Sequence, residues 1–393
     1  MLFKRLNLEG ILYGFFTIML IELVIGGGGR WFQVGPLTIR MILYMTGIPL
    51  SFIFLSITRR VEVPVFYWTF FFIILSAVSV FMGLFNGAGI SKVFEDIKPL
   101  SFFLILPFFA LCINSVEQVD RTIRIIKYSS LLLGIIYLIV VLCIVVGIIP
   151  FMRFYNYATP FGEIFFRTKP LFFYKGFIYL CIGFIFFMVS PGKLNKIAML
   201  IMLACIFLTL TRGLILSTLL AAVFYLVFIV RNKLISLSIL FIGIVLVGIA
   251  IPFYLESVGD RSNSDMVRYI QIDQVIEKTN FLNFFVGDGF GIGVPIRPDH
   301  MEIAYLEIFS KQGAIGLLFW FSLFGYICYL YFSLYNNKDI YITYSPLFLS
   351  VLLIYLQSGT NPYLNNPIGL SFLLVSLISL IRINNHYLNR SIV

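Results

Sequence analysis

Apolar and polar positions fall in long blocks along this chain. Runs of roughly 18–20 apolar residues, enough to cross ~30 Å of hydrocarbon as a helix, recur from one end to the other between short polar links. Nowhere does a segment of about ten residues alternate apolar and polar positions, as a transmembrane strand must. A backbone in lipid has to satisfy its own hydrogen bonds, so helices remain as the way across. The pattern predicts an all-α polytopic membrane protein, one membrane domain over 1–393. Its expected twelve spans lie near 8–25, 39–57, 65–82, 99–113, 130–149, 171–189, 197–209, 214–230, 234–251, 313–335, 346–357 and 368–381. The first run follows Lys4 and Arg5. More spans succeed it and no small-residue cleavage site is evident, so it reads as an uncleaved helix.

One stretch breaks the pattern. Residues 257–312, within the loop 253–312 between the ninth and tenth spans, form the long polar island of the sequence. It carries Arg261, Arg268, Arg297, Glu277, Glu302, Glu307 and His300, one of two histidines. Short helices are expected inside it. Ser264 suits an N-cap ahead of Asp265, and Met266, Ile270, Val275 and Ile276 suit one apolar face lying on the membrane or the bundle. A second polar loop covers 150–170.

Twelve spans put both termini on one side, together with the basic ends Arg59–Arg60, Lys193/Lys196, Arg231/Lys233, Lys338 and Arg382. Lys and Arg divide evenly between the two faces, but that side has the shorter segments and so the denser charge, which marks the cytoplasm. The loops 253–312 and 150–170 and the turn Thr211-Arg212-Gly213 then share the outer face.

Composition agrees with the class: 60% of the 393 residues are hydrophobic and 12% charged, against about 25% charged in soluble chains. Mean hydropathy is +1.01. The net charge of +10 reads as topology signal and phosphate or lipid contact rather than nucleic-acid binding. All five cysteines lie in apolar runs without CxxC or Cys/His spacing, so neither metal nor disulfide is indicated.

Four groups carry candidate chemistry. Arg212, between two apolar runs, is costly unless it reaches water, a lipid headgroup or an anion. Arg268 suits a second phosphate contact or a salt bridge to Asp265 or Asp273. If 299–307 is helical, His300, Ala304, Glu307 and Lys311 share a face, and Glu307 can pair with Lys311. His300 then suits a general base or hydrogen-bond donor, or a structural role. Arg153, Arg167 and Lys169 are interleaved with Tyr155, Tyr157 and Phe161, which fits a phosphorylated glycolipid and also any interfacial loop. The alternating glycines of VGDGFGIG (286–293) lack the strand-to-helix spacing of a dinucleotide fingerprint and read as a flexible, hinge-like turn returning the chain to the membrane, with a backbone nest for an anion as the alternative.

Three segments in order resemble the O-antigen ligase/O-antigen polymerase superfamily of bacterial envelope glycosyltransferases. They are LTLTRGLILS at the end of a span, Arg268 ahead of FFVGDGFGIG, and HMEIAYLEIFSKQGAIGLL leading into the next span. The motifs cover about 197–335; the first half shares only hydropathy and the basic loop around Arg167. Met301 follows His300 where the family often has Asn. The resemblance implies a GT-C-like, metal-independent inverting glycosyltransferase without a cofactor, in the bacterial inner membrane with its site facing the periplasm. Its donor would be an oligosaccharide on undecaprenyl pyrophosphate, with a chain-length regulator protein as a further partner. Carried over, Arg212, Arg268 and, more weakly, Arg167 hold the pyrophosphate. His300 activates the acceptor hydroxyl, with Glu302 or Glu307 orienting it. A repeat-unit polymerase is the expected activity; the alternatives are a ligase acting on lipid A–core and a lipid-linked oligosaccharide flippase.

Overall fold

The computed structural model describes residues 2–30, 33–34, 37–58, 62–230, 232–234, 236–239, 241, 243 and 262–388. Most of the ninth expected span lies outside the described residues, as do Arg261 and the Ser264 side chain.

Helices α1 (Leu2–Ile25), α2 (Ile39–Thr58) and α3 (Val63–Phe85) follow one another, with a short hairpin, β1 (Gln33–Val34) and β2 (Leu37–Thr38), before α2. An amphipathic helix α4 (Ile90–Leu100) then passes through a 3-10 turn, Ser101–Ile105, into α5 (Leu106–Cys112). The fourth expected span is thus broken in two. Helix α6 (Val116–Val146) runs 31 residues and absorbs the basic segment ahead of the fifth expected span. Ser115 caps it by accepting from the Gln118 amide, and Gly147 ends it in the left-handed region (φ 84°).

The loop 150–170 holds helix α7 (Phe151–Ala158) and the first strand of a hairpin, β3 (Ile164–Phe166) with β4 (Phe172–Tyr174). The sixth expected span therefore starts as a strand, and its helix α8 is only Ile178–Val189. Helix α9 (Lys193–Leu208) is followed by a short turn, and Thr211 then stands at the N-cap of α10 (Arg212–Phe224), so Arg212 and Gly213 begin that helix. The long loop contains α11 (Ser262–Lys278) and α12 (Phe281–Val286). It leads into α13 (Ala304–Phe332), then α14 (Lys338–Thr343), α15 (Ser345–Gln357) and α16 (Pro367–Tyr387). Pro64, Pro107, Pro346 and Pro367 sit in the first turn of their helices, where the missing N–H costs nothing.

Five of these helices are long and apolar enough to cross a membrane: α3, α6, α10 with its continuation to Ile229, α13 with its continuation to Asn336, and α16; shorter apolar helices accompany them. The protein is an all-α membrane protein decorated by two small hairpins. α16 is the central post, its apolar stretch 89% buried, and α8 is almost wholly buried beside α15. α3 instead turns Phe66, Phe70, Phe81 and Phe85 outward, as a lipid-facing helix does.

Candidate active site

The glycine run of the long loop is a packed joint rather than a flexible turn. Gly287, Gly289 and Gly291 have φ of 75°, 91° and 82°, conformations open to glycine. Asp288 through Phe290 is buried. The Asp288 amide donates to Ser310 O (2.7 Å), Gly289 N to Lys311 O (3.2 Å) and Phe290 N to Ser79 O (2.9 Å). A Cβ on Gly289 would stand 1.9 Å from Gly83 N, and one on Gly83 would stand 2.0 Å from Phe290 O. The run is thus wedged backbone to backbone between the end of α3 and the start of α13. At Gly313 (φ 66°) α13 itself breaks, because α12 approaches so closely that a Cβ there would meet Phe285 O at 2.2 Å.

Beside this joint lies a buried charge cluster. The Lys311 ammonium is 2.7 Å from Asp96 Oδ1, 2.7 Å from Glu307 Oε1 and 2.8 Å from the Asp299 carbonyl. The expected Glu307–Lys311 pair is therefore present, although α13 begins only at Ala304 and His300 precedes it on irregular chain. Asp96 Oδ2 accepts from Gly291 N (2.6 Å), and Glu307 Oε2 accepts from Asn365 Nδ2 (2.6 Å). His300 sits at the rim with its side chain 56% exposed. Its Nδ1 lies 3.3 Å from Glu307 Oε1 and 3.6 Å from Asp96 Oδ1. A cleft opens here, lined by Asp96, Phe290, His300, Glu307, Lys311 and Asn365 among others. The hydrogen bond to Glu307, ahead of the opposing effect of burial, holds the His300 imidazolium above its ordinary value of 6.5.

Asp96, His300 and Glu307 also place ligand atoms within 4.8 Å of one another, a spacing open to a metal ion. The Lys311 ammonium already stands between the two carboxylates, so a cation would have to displace it, and the donor set does not fit a resident metal.

Of the two candidate carboxylates, Glu307 is the one hydrogen-bonded to His300. Glu302 faces the arginines instead: Arg268 Nε donates to its Oε2 (3.0 Å) and an Arg297 terminal nitrogen to its Oε1 (2.7 Å). Arg268 also meets Asp265 at 2.9 Å. Arg212 opens α10 and is exposed. The following Gly213 is pressed against the turn after α15, where a Cβ would stand 2.8 Å from Thr360 Oγ1. That turn is tied to the cluster: Ser358 O accepts from Ala304 N (3.0 Å) and Asn365 from the same loop holds Glu307. Arg167 is exposed at the tip of the β3–β4 hairpin, 5.9 Å from the Phe173 ring centre. Its hairpin reaches the same loop through the Tyr363 hydroxyl, which donates to Lys175 O at 3.4 Å.

Asp96 and Asn365 are cluster members that the sequence reading did not single out. Asp96 did leave a signal. In α4 the buried positions are Val93, Asp96 and Leu100, a carboxylate on the apolar stripe of an amphipathic helix, which demands a buried partner. Asn365, in an irregular loop without periodicity, left none.

No protein-family model matches the chain. A curated protein of Shigella flexneri named O-antigen polymerase is 30% identical over 386 residues, 94% of this chain and 95% of the relative. At that identity and coverage, the match and the order of the Thr-Arg-Gly, glycine-run and His300 segments lead to one statement: the chain belongs to the O-antigen polymerase family.

Proposed function

We propose that the protein is a repeat-unit polymerase, moving an oligosaccharide from undecaprenyl pyrophosphate to a second lipid-linked oligosaccharide. The observation that carries the mechanism is His300, held at the rim of the cleft by a buried carboxylate, with Gly213 beside Arg212 and the hairpin of Arg167 packed on the loop whose Asn365 holds that carboxylate. With Nδ1–H donating to Glu307, Nε2 is left as the acceptor. It takes the proton of the acceptor hydroxyl as the sugar oxygen attacks the anomeric carbon. The bond from that carbon to the pyrophosphate breaks, and attack from the opposite side inverts the centre. Charge developing on the leaving pyrophosphate is neutralised by Arg212 and Arg268, with Arg167 at greater remove. Glu302, between Arg268 and Arg297, positions those guanidiniums; orientation of His300 falls to Glu307. No metal or cofactor is needed in this scheme.

The remaining features follow the same reading. With twelve spans in a GT-C-like arrangement, the cleft would face the periplasm from the bacterial inner membrane, where lipid-linked repeat units would be joined and a chain-length regulator would act.

A deletion strain tests the activity. Lipopolysaccharide capped with a single repeat unit supports a polymerase. Bare core with free lipid-linked polymer would mean a ligase, and loss of all outward repeat units a flippase.

A further inference from the structure

His300 is not held by Glu307 alone. The imidazole looks onto two carboxylates and one ammonium, all buried, brought together from two elements far apart in the chain. Asp96 arrives on α4, and Glu307 and Lys311 on the first turns of α13. The side chains of Asp96, Glu307 and Lys311 are 6%, 7% and 4% exposed, so water screens them little and their charges act on the imidazole at close range. Their positions are fixed independently of any substrate. Asp96 is pinned by the Gly291 amide, Glu307 by Asn365, and Lys311 by the Asp299 carbonyl.

We propose that Asp96 and Lys311 are positioning residues that, with Glu307, form a built-in counterion of net charge minus one and thereby set the protonation state of His300. The inference rests on the proposed role of His300 as the base and adds what controls it. Two carboxylates against one ammonium leave one negative charge, which the imidazolium neutralises. Asp96 therefore makes His300 a stronger base and Lys311 limits how strong, keeping a neutral fraction available near neutrality. The charged and titratable groups facing the ring are Glu307 and Lys311 from α13 and Asp96 from α4. Asp299, next in the chain, faces Lys92 at 3.6 Å. The raised affinity of His300 for its proton comes first from the Glu307 hydrogen bond; Lys311 acts to lower it and Asp96 to raise it, the signs that this arrangement requires.

The signs are opposite for the two residues, which separates charge from mere packing. Asp96→Asn removes a negative charge and destabilises the imidazolium; Lys311→Met removes a positive one and stabilises it. Asp96→Asn with Lys311→Met restores the original count.

The test uses full-length protein in detergent with His386→Gln, so that His300 is the one histidine left. The rate of His300 acylation by diethyl pyrocarbonate, which reacts with neutral imidazole, is followed against pH. The expected midpoint falls by about one pH unit in Asp96→Asn and rises by a similar amount in Lys311→Met, and the double variant returns towards the parent. Lys311→Met alone decides the matter if Asp96→Asn does not fold. Unmoved midpoints in folded variants would overturn the proposal. The acid limb of polymerisation is measured in parallel. If acylation midpoints shift and the limb does not, the counterion stands and the reading of His300 as base falls.

Discussion

Gly289→Ala is a sharp test of how the site is held together. At φ 91° a side chain adds strain of about 1–2 kcal/mol. The new methyl would also stand 1.9 Å from Gly83 N and 2.4 Å from Gly83 Cα. Neither neighbour is a side chain that can swing aside; both are backbone of α3. Reaching ordinary contact near ~3.5 Å means opening the joint by roughly 1.5 Å, and overpacking of this kind typically adds about 1–3 kcal/mol. The sum, about 2–5 kcal/mol, is a large part of the ~5–15 kcal/mol that holds a folded domain. The displaced segment carries the amides that bind Ser310 O, Lys311 O and Asp96, so the charge cluster under His300 loosens with it. Detergent-solubilised Gly289→Ala should melt well below the parent by fluorescence-detected size exclusion and make little or no polymer. Gly325→Ala is the control, since a Cβ there meets nothing within 4 Å and a mid-helix Gly→Ala change is favourable by about 1 kcal/mol. Parental melting and parental polymer in Gly289→Ala would refute the rigid joint and revive the hinge.

Other expectations follow from the same geometry. Arg212→Ala, Arg268→Ala and His300→Ala should each abolish polymer at parental expression, read by lipopolysaccharide gels and membrane immunoblots; normal polymer from all three would sink the site assignment. Glu307→Gln should cost far more activity than Glu302→Gln, whose main effect should be weaker substrate binding through Arg268 and Arg297; equal losses in turnover would put Glu302 back beside His300. The rate should fall as pH drops through a His300 midpoint above 6.5, because the base must be neutral. Stability should run the other way: with its affinity raised by folding, His300 contributes fully below the unfolded value near 6.5 and loses that contribution as pH rises through the folded one. A rate that is flat across this window would contradict the role of the histidine.

Much of the fold was legible because lipid imposes block patterning. Expected spans at 39–57, 346–357 and 368–381 correspond to helices Ile39–Thr58, Ser345–Gln357 and Pro367–Tyr387, the last two announced by a proline in the first turn. Hydropathy misjudged places where apolar residues serve another geometry. The run Phe172–Tyr174 is as apolar as any helix, yet it pairs as a strand with Ile164–Phe166, in keeping with the β-preference of aromatic residues. The site was half legible. His300, Glu307 and Arg268 stood out as charges in one polar island. The choice between Glu302 and Glu307 depended on where α13 starts, and the partnership of Asp96 with Lys311 spans 215 residues that no local pattern connects.

The claim that this chain joins lipid-linked repeat units is tested most directly with purified protein and an undecaprenyl-pyrophosphate-linked repeat unit as the sole substrate. The parent should give a ladder of lipid-linked oligomers, and His300→Ala and Arg268→Ala none. Failure of the folded parent to extend this substrate, with transfer appearing once lipid A–core is supplied, would contradict it.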